Sequence, residues 1–329
     1  MSEKEVIVKL KTITPLWTGD AWQESSQLRP SSLFGSLRFW FSVYWKFIKN
    51  GSIEDLNHDE EATDSSRISP LIKQIVLKYI FDHGNVEDMD SLIDKALEEI
   101  EISVPSRLFG CTGWKSRVDI EIKSSKPKKH SKDGIEFKFP KGQINSEGWL
   151  NRVLFQDGSA INVYEDVELV VKTTEYWWNK YLADFFEFFK DKIILVGGKL
   201  SLGFGMVNIR LVGDSASDDD TEMPEENTIG NIMMTRKITG INYGEGKKIL
   251  GFNFKYYLRK REDRHFRKKN FGDLGKASNV YVSHLLEGDR NSVYLICLNL
   301  DGSRIPINVV DKYVNSLREL NEGRGGNNA

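Results

Sequence analysis

An α+β protein made of two tandem βαββαβ units, ferredoxin-like (RRM-like) with helical and loop insertions, is what the sequence predicts. Three observations predict it. Over residues 6–212 the elements read strand, helix, strands, helix, strand. An acidic stretch at 213–227, poor in apolar residues, has the composition of a linker. A segment of the first part is echoed in the second. The predicted organisation is an N-terminal unit at 1–212 with insertions at about 50–105 and 123–165, the linker at 213–227, and a C-terminal unit at 228–329.

Val6, Val8 and Leu10 alternate with Ile7, Lys9 and Lys11, the period of a strand, and Thr14-Pro15 ends it. A polar loop runs to Pro30, after which Ser31 and Ser32 are the expected N-cap of a helix over Leu33 to Ile48. Leu33, Leu37, Trp40, Phe41, Tyr44 and Ile48 fall at helical spacing, and so many aromatics flank them that most of this helix must be covered. Two further helices are expected at Ser69 to Phe81 and Met89 to Ile100. Arg117 to Ile122 alternates as a strand, and the polar, basic stretch Lys123 to Pro140 is expected to be an exposed loop or hairpin. Val167 to Val171 reads as a strand, Glu175 to Lys190 as an aromatic-rich helix, Ile193 to Val196 and Met206 to Val212 as strands. Beyond the linker come Phe252 to Arg261, a hairpin from Val280 to Leu300 turning at 288–291, and a helix near Val309 to Leu320.

Between the last two strands of the first unit lies Gly197-Gly198-Lys199-Leu200-Ser201-Leu202-Gly203-Phe204-Gly205. Its glycines permit positive φ, and Lys199 and Ser201 add a cation and a hydroxyl, a combination suited to a phosphate backbone. The P-loop ending and the dinucleotide spacing are both missing, and a tight packing turn explains the glycines equally well. The echo joins Phe109-Gly110, Lys115, Ser116 and Val118 to Phe271-Gly272, Lys276, Ser278 and Val280, with Leu37-Arg38 matched by Leu258-Arg259 upstream.

The net charge of −2 does not advertise nucleic-acid binding, but its distribution is uneven. Six acids and no Lys or Arg occupy 54–64, and seven acids and no base occupy 214–226. Lys115 to Lys141 carries nine Lys or Arg against four acids, and Lys255 to Lys276 nine against three. Two cysteines, Cys111 and Cys297, make neither a disulfide framework nor a zinc spacing. No metal, no cofactor and no membrane span are expected, and the absence of an apolar signal core predicts a cytoplasmic protein.

Thr14-Pro15-Leu16, the run Pro30-Ser31-Ser32-Leu33-Phe34-Gly35-Ser36-Leu37-Arg38-Phe39-Trp40, Leu108-Phe109-Gly110 and the glycine-rich segment together resemble the RAMP superfamily of CRISPR proteins. Within it, the Leu-Arg-Phe-Trp helix and the paired Phe-Gly segments resemble the first-named RAMP subunit of the Cmr (type III-B) effectors. The resemblance implies two ferredoxin-like domains, a guide RNA held near its 3′ region and sometimes its target, and neighbouring Cmr RAMP subunits as partners. Carried onto this sequence, the expected RNA-binding residues are Ser31, Ser32, Arg38, Lys46, Lys115, Arg117, Gly197, Gly198, Lys199, Ser201, Gly203, Gly205, Arg259, Arg261 and Lys276. An internal salt bridge is the competing role for Arg38, and solvated surface that for Lys115, Arg117 and Lys276.

The resemblance implies a subunit that is not the nuclease. RAMP relatives that process RNA rely on a general base such as His, and none of the five His (58, 83, 130, 265, 284) lies in the first helix or the glycine-rich segment. Backbone subunits of type III complexes use an Asp in the loop after the first strand, which makes Asp20 the one catalytic candidate. An ordinary turn Asp is the plainer reading of it. The alternative function is therefore a metal-dependent ribonuclease acting through Asp20.

Overall fold

In the computed structural model the described residues are 2–19, 25–49, 65–84, 88–131, 155, 158, 160–213, 226–239, 263–272, 278–283 and 292–300. They form a mixed α/β protein with two antiparallel sheets. The first sheet has the order β2-β3-β1-β5-β4, from β1 (Glu3–Thr12), β2 (Asp119–Ser131), β3 (Ala160–Thr174), β4 (Ile193–Leu195) and β5 (Met206–Leu211). The alternation seen in the sequence sets the register. Val6, Val8 and Leu10 lie opposite Val171, Leu169 and Val167, so one apolar face forms across β1 and β3.

Helix α1 (Pro30–Val43) covers that face and runs into a π-helical turn at Tyr44–Lys49. It starts one residue earlier than the expected cap, for a simple reason. Pro30 suits the first helical position because its missing N–H has no partner there anyway, and Arg29, in extended backbone, becomes the N-cap. Ser31 and Ser32 are thus first-turn residues. Beside α1 lies a second helical run, α5 (Glu175–Trp177), a π-turn (Trp178–Leu182) and α6 (Ala183–Phe189). The two pack through aromatic rings: Phe41 on Phe185 at 5.5 Å, Trp40 on Phe189 at 5.6 Å and Tyr44 on Phe188 at 5.3 Å. Helices α2 (Ile68–His83), α3 (Met89–Glu99) and α4 (Val104–Phe109) fill the connection from α1 to β2.

Strand β2 runs on to Ser131, through the first nine residues of the expected exposed loop. No apolar alternation marks this half because cross-strand ion pairs hold it to β3: Lys126–Asp166 at 2.6 Å, Lys128–Glu165 at 3.0 Å and Lys123–Glu168 at 3.3 Å. Much of the basic tract's surplus is therefore met by acids of the neighbouring strand.

The second sheet, β6-β7-β9-β8, comes from β6 (Glu226–Ile229), β7 (Met233–Ile238), β8 (Val280–Val282) and β9 (Val293–Leu298). Strands β8 and β9 pair as the expected hairpin. Helix α7 (Arg264–Phe271), absent from the sequence reading, precedes β8. All six residues of β9 are buried, because this strand lies inside the sheet and joins the core of the first half through Tyr294, Ile296 and Leu298. The expected elements at Phe252 to Arg261 and Val309 to Leu320, and most of the acidic stretches, lie outside the described residues.

The echo is structural. Helix α4 ends on Gly110 (φ 83, ψ 160) and α7 on Gly272 (φ 76, ψ 170). The Ser116 hydroxyl donates to the Val118 and Leu108 carbonyls and accepts from the Val118 N–H; the Ser278 hydroxyl does the same with Val280 and Asn270. These pairs share one constant spacing, which sets Ala277, not Lys276, opposite Lys115. The expected Lys115/Lys276 equivalence is therefore one residue out of register.

Candidate functional site

Segments separated by almost the whole first half meet at one place. After β1, the Thr14 hydroxyl accepts from the Met206 N–H (3.0 Å), Pro15 O from the Gly205 N–H (2.9 Å) and Trp17 O from the Gly198 N–H (2.8 Å). Thr18 then ties this strand exit to the start of α1, its hydroxyl accepting from the Arg29 N–H at 3.0 Å. On α1, the Ser36 hydroxyl donates to Ser32 O and accepts from the Gly197 N–H, both at 3.0 Å. The Thr-Pro-Leu motif, the first helix and the glycine-rich segment are thus one hydrogen-bonded assembly.

This assembly changes the meaning of the glycines. The N–H groups of Gly197, Gly198, Gly203 and Gly205 bond Ser36 Oγ, Trp17 O, Leu200 O and Pro15 O. They serve the fold before any ligand. Gly205 shows why glycine is needed: φ is +73, and a Cβ there would lie 2.1 Å from the Val196 carbonyl oxygen. The segment is a tight docking turn, with Leu200–Leu202 as a short 3-10 helix against β8. Lys199 takes left-handed backbone (φ 53), which costs roughly 1–2 kcal/mol for a residue with a Cβ. That conformation sets its ammonium 4.4 Å over the Trp17 ring, and burial lowers its pKa. Ser201 is exposed.

Beside the turn opens a cleft of about 470 Å³, lined mainly by Trp17, Gly35, Phe39, Trp40, Leu200 and Leu298, with Ser32 and Ser36 among its polar groups. Leu298 belongs to the second sheet, so both parts of the chain build it. Trp40 is fixed by donating to Leu195 O at 2.8 Å; Phe39 is 37 % exposed.

The remaining expected residues divide. Arg38 faces away from the cleft lining: its guanidinium donates to Gly110 O (2.7 Å) and Ser106 Oγ (3.3 Å), holding α1 to the first Phe-Gly motif. Its partners are neutral, not the acid of a salt bridge. Arg117 lies 4.5 Å over the Trp114 ring, and burial lowers its pKa; Lys115 is exposed, Lys46 half-buried and Ser31 exposed. Arg259, Arg261, Lys276 and Asp20 lie outside the described residues. Among the described residues no group of three or more His, Cys, Asp or Glu side chains stands together as a metal site, and no helix is long and apolar enough to cross a membrane.

One histidine comes close in space without lying in the segment itself. His130 of β2 does reach the glycine-rich segment, its ring 5.3 Å from Phe204 and stacked at 6.1 Å on Phe155. Pairing of β2 with β3 carries it there, a long-range event invisible in local spacing. Its Nε2 is buried. Trp17, Gly35, Phe39 and Leu298 were also not singled out; the aromatics beside glycines were the available signal.

A model of the RAMP superfamily matches residues 9–208. Among solved structures, the chain is similar to Cmr1 from Pyrococcus furiosus in its apo form, with TM-score 0.42 and 16 % identity over 96 % of this chain and 97 % of that one. It is also similar to oligomeric Cmr4 from Pyrococcus furiosus, with TM-score 0.28 and 13 % identity over 64 % of this chain and 98 % of that one. No curated protein matches it in sequence.

Proposed function

The chain belongs to the RAMP superfamily, and from that premise we propose that it is a non-catalytic, RNA-binding subunit of a type III-B (Cmr) CRISPR effector ribonucleoprotein in antiviral defence. It contacts guide RNA near the 3′ region, and target RNA where present, and assembles with other Cmr RAMP subunits. The observation that carries this reading is that the strand exit after the Thr-Pro-Leu motif, the first helix and the glycine-rich segment together build one cleft beside Lys199. Exposed cations at Lys115 and along α7 (Arg264, Lys268, Lys269) supply a sequence-independent attraction for phosphates. Leu77 and Phe81, one helical turn apart on α2 and 55 % and 89 % exposed, suit a protein neighbour. The two-unit ferredoxin-like reading is supported by the first sheet, whose order β2-β3-β1-β5 is that of a βαββαβ unit with β4 added. In the second, β7-α7-β8-β9 repeats the first three strands and the first helix.

The non-catalytic reading draws on the aromatic enclosure of His130, since a general base has to reach its proton. The test is RNA affinity across salt, with the full chain and with Lys46, Lys115 and Lys199 all replaced by Ala. Each phosphate contact contributes about 0.7 to the log–log slope on single strands, so the triple variant should lose about 2. An unchanged slope and affinity would remove these residues from the interface. In the same material, Mg²⁺-dependent cleavage lost on Asp20→Ala would replace the proposal with the ribonuclease.

A further inference from the structure

Helix α1 contains a glycine that the fold does not explain. Gly35 sits in the helix interior, where glycine is less favourable than alanine. Apart from its chain neighbours and the backbone of its own helix, a methyl group built there meets no atom of the described residues within 4 Å, and φ is not positive. Gly197, Gly198 and Gly205 have a different basis, because a Cβ on each would come within 2.8 Å of Trp17 or Val196. Gly35 is exposed and lines the cleft. Among the described residues nothing fills the space over that point, so the bare helix surface is open to something that enters the cleft.

Resting on the RNA-binding reading above, we propose that the cleft receives one unstacked nucleobase of single-stranded RNA, laid against the bare backbone at Gly35. The lining is aromatic and aliphatic, and Phe39 is a partly exposed ring at the site, which is what a base face needs. Ser32 and Ser36 add polar groups to the apolar lining, and the Ser36 hydroxyl, which donates to Ser32 O and accepts from the Gly197 N–H, keeps one acceptor position for a base edge or ribose. Lys199 lies between the lining residues Gly198 and Leu200, with its ammonium over Trp17, and supplies charge complementarity for the adjoining phosphate. A volume of about 470 Å³ is that of an ordinary small-ligand pocket. The occupant is a base and not an apolar side chain because a cation flanks the apolar walls.

The experiment compares two polyanions, poly(U) and long-chain inorganic polyphosphate, which carries charge but no base. Binding of each to the full chain is measured for wild type, Gly35→Ala and Phe39→Ala, with thermal unfolding alongside. Gly35→Ala should be at least as stable as wild type, because alanine favours the helix, yet bind poly(U) on the order of tenfold more weakly with polyphosphate binding unchanged. Phe39→Ala should show the same selectivity through lost stacking. If wild type binds poly(U) and Gly35→Ala binds it equally well, the base site is overturned while the RNA-binding reading stands. Equal wild-type affinity for poly(U) and polyphosphate overturns it as well, since the attraction is then charge alone. Failure of wild type to bind either polymer overturns both readings.

Discussion

Asp94 has no exposed surface, and its carboxyl is nonetheless held below the ordinary range. Burial opposes the charged form, but hydrogen bonds from Lys180 (2.6 Å), Tyr181 (2.6 Å) and Tyr176 (2.9 Å), with the charge of Lys180, outweigh it. Arg107 adds a contact at 3.4 Å, so α3, α4 and the helical run beside α1 are stapled through one carboxylate. A depressed pKa in the folded state means the stabilisation is present above the unfolded value near 3.8 and is lost as pH falls through the folded value. Asp94→Ala removes the acceptor that Lys180, Tyr181, Tyr176 and Arg107 share, and should cost about 3–5 kcal/mol at neutral pH. Its thermal midpoint should also fall less steeply than that of wild type between about pH 4 and pH 2. Parallel acid limbs in melts of the two proteins would show that Asp94 is not the titrating staple.

At the scale of elements, β2 shows how a strand escapes detection. It forms an edge of the first sheet, and lysines, Pro127 and register shifts at Ile122, Ser124 and Lys126 keep that edge from pairing further. Its outer half relies on cross-strand ion pairs between partly exposed groups, whose contribution is small because water and salt screen them. Lys126→Ala should therefore shift the urea midpoint only slightly, with the difference vanishing in about 1 M salt. A large midpoint shift that survives salt would mean the pair is held in a far drier setting. Helix α1 is the opposite case: its apolar stripe was plain in the sequence, while its contacts were not. Arg38 is expected at RNA or in an internal salt bridge, and in the fold its guanidinium bonds Gly110 O and Ser106 Oγ.

For the whole molecule, the core runs through both sheets. Ile229, Met233, Tyr281, Ile296 and Leu298 join the cluster formed by Val8, Leu37, Trp40 and Phe185. Units that share a core unfold together, so calorimetry should give a single transition with matching van't Hoff and calorimetric enthalpies. Two resolved transitions would count against the shared core. Local periodicity and turn chemistry, which act over a few residues, were enough for the sequence alone to determine the strand–helix order of the first half, the aromatic helices and the duplicated Phe-Gly segment. The tertiary structure decided what those residues do. It turned the glycine N–H groups inward, set His130 against Phe204, drew acids of β3 onto the lysines of β2, and opened a cleft from Trp17, Gly35, Phe39 and Leu298. Each of these depends on pairing between segments tens to hundreds of positions apart, and no local pattern encodes which partner a donor, an acid or a ring will meet.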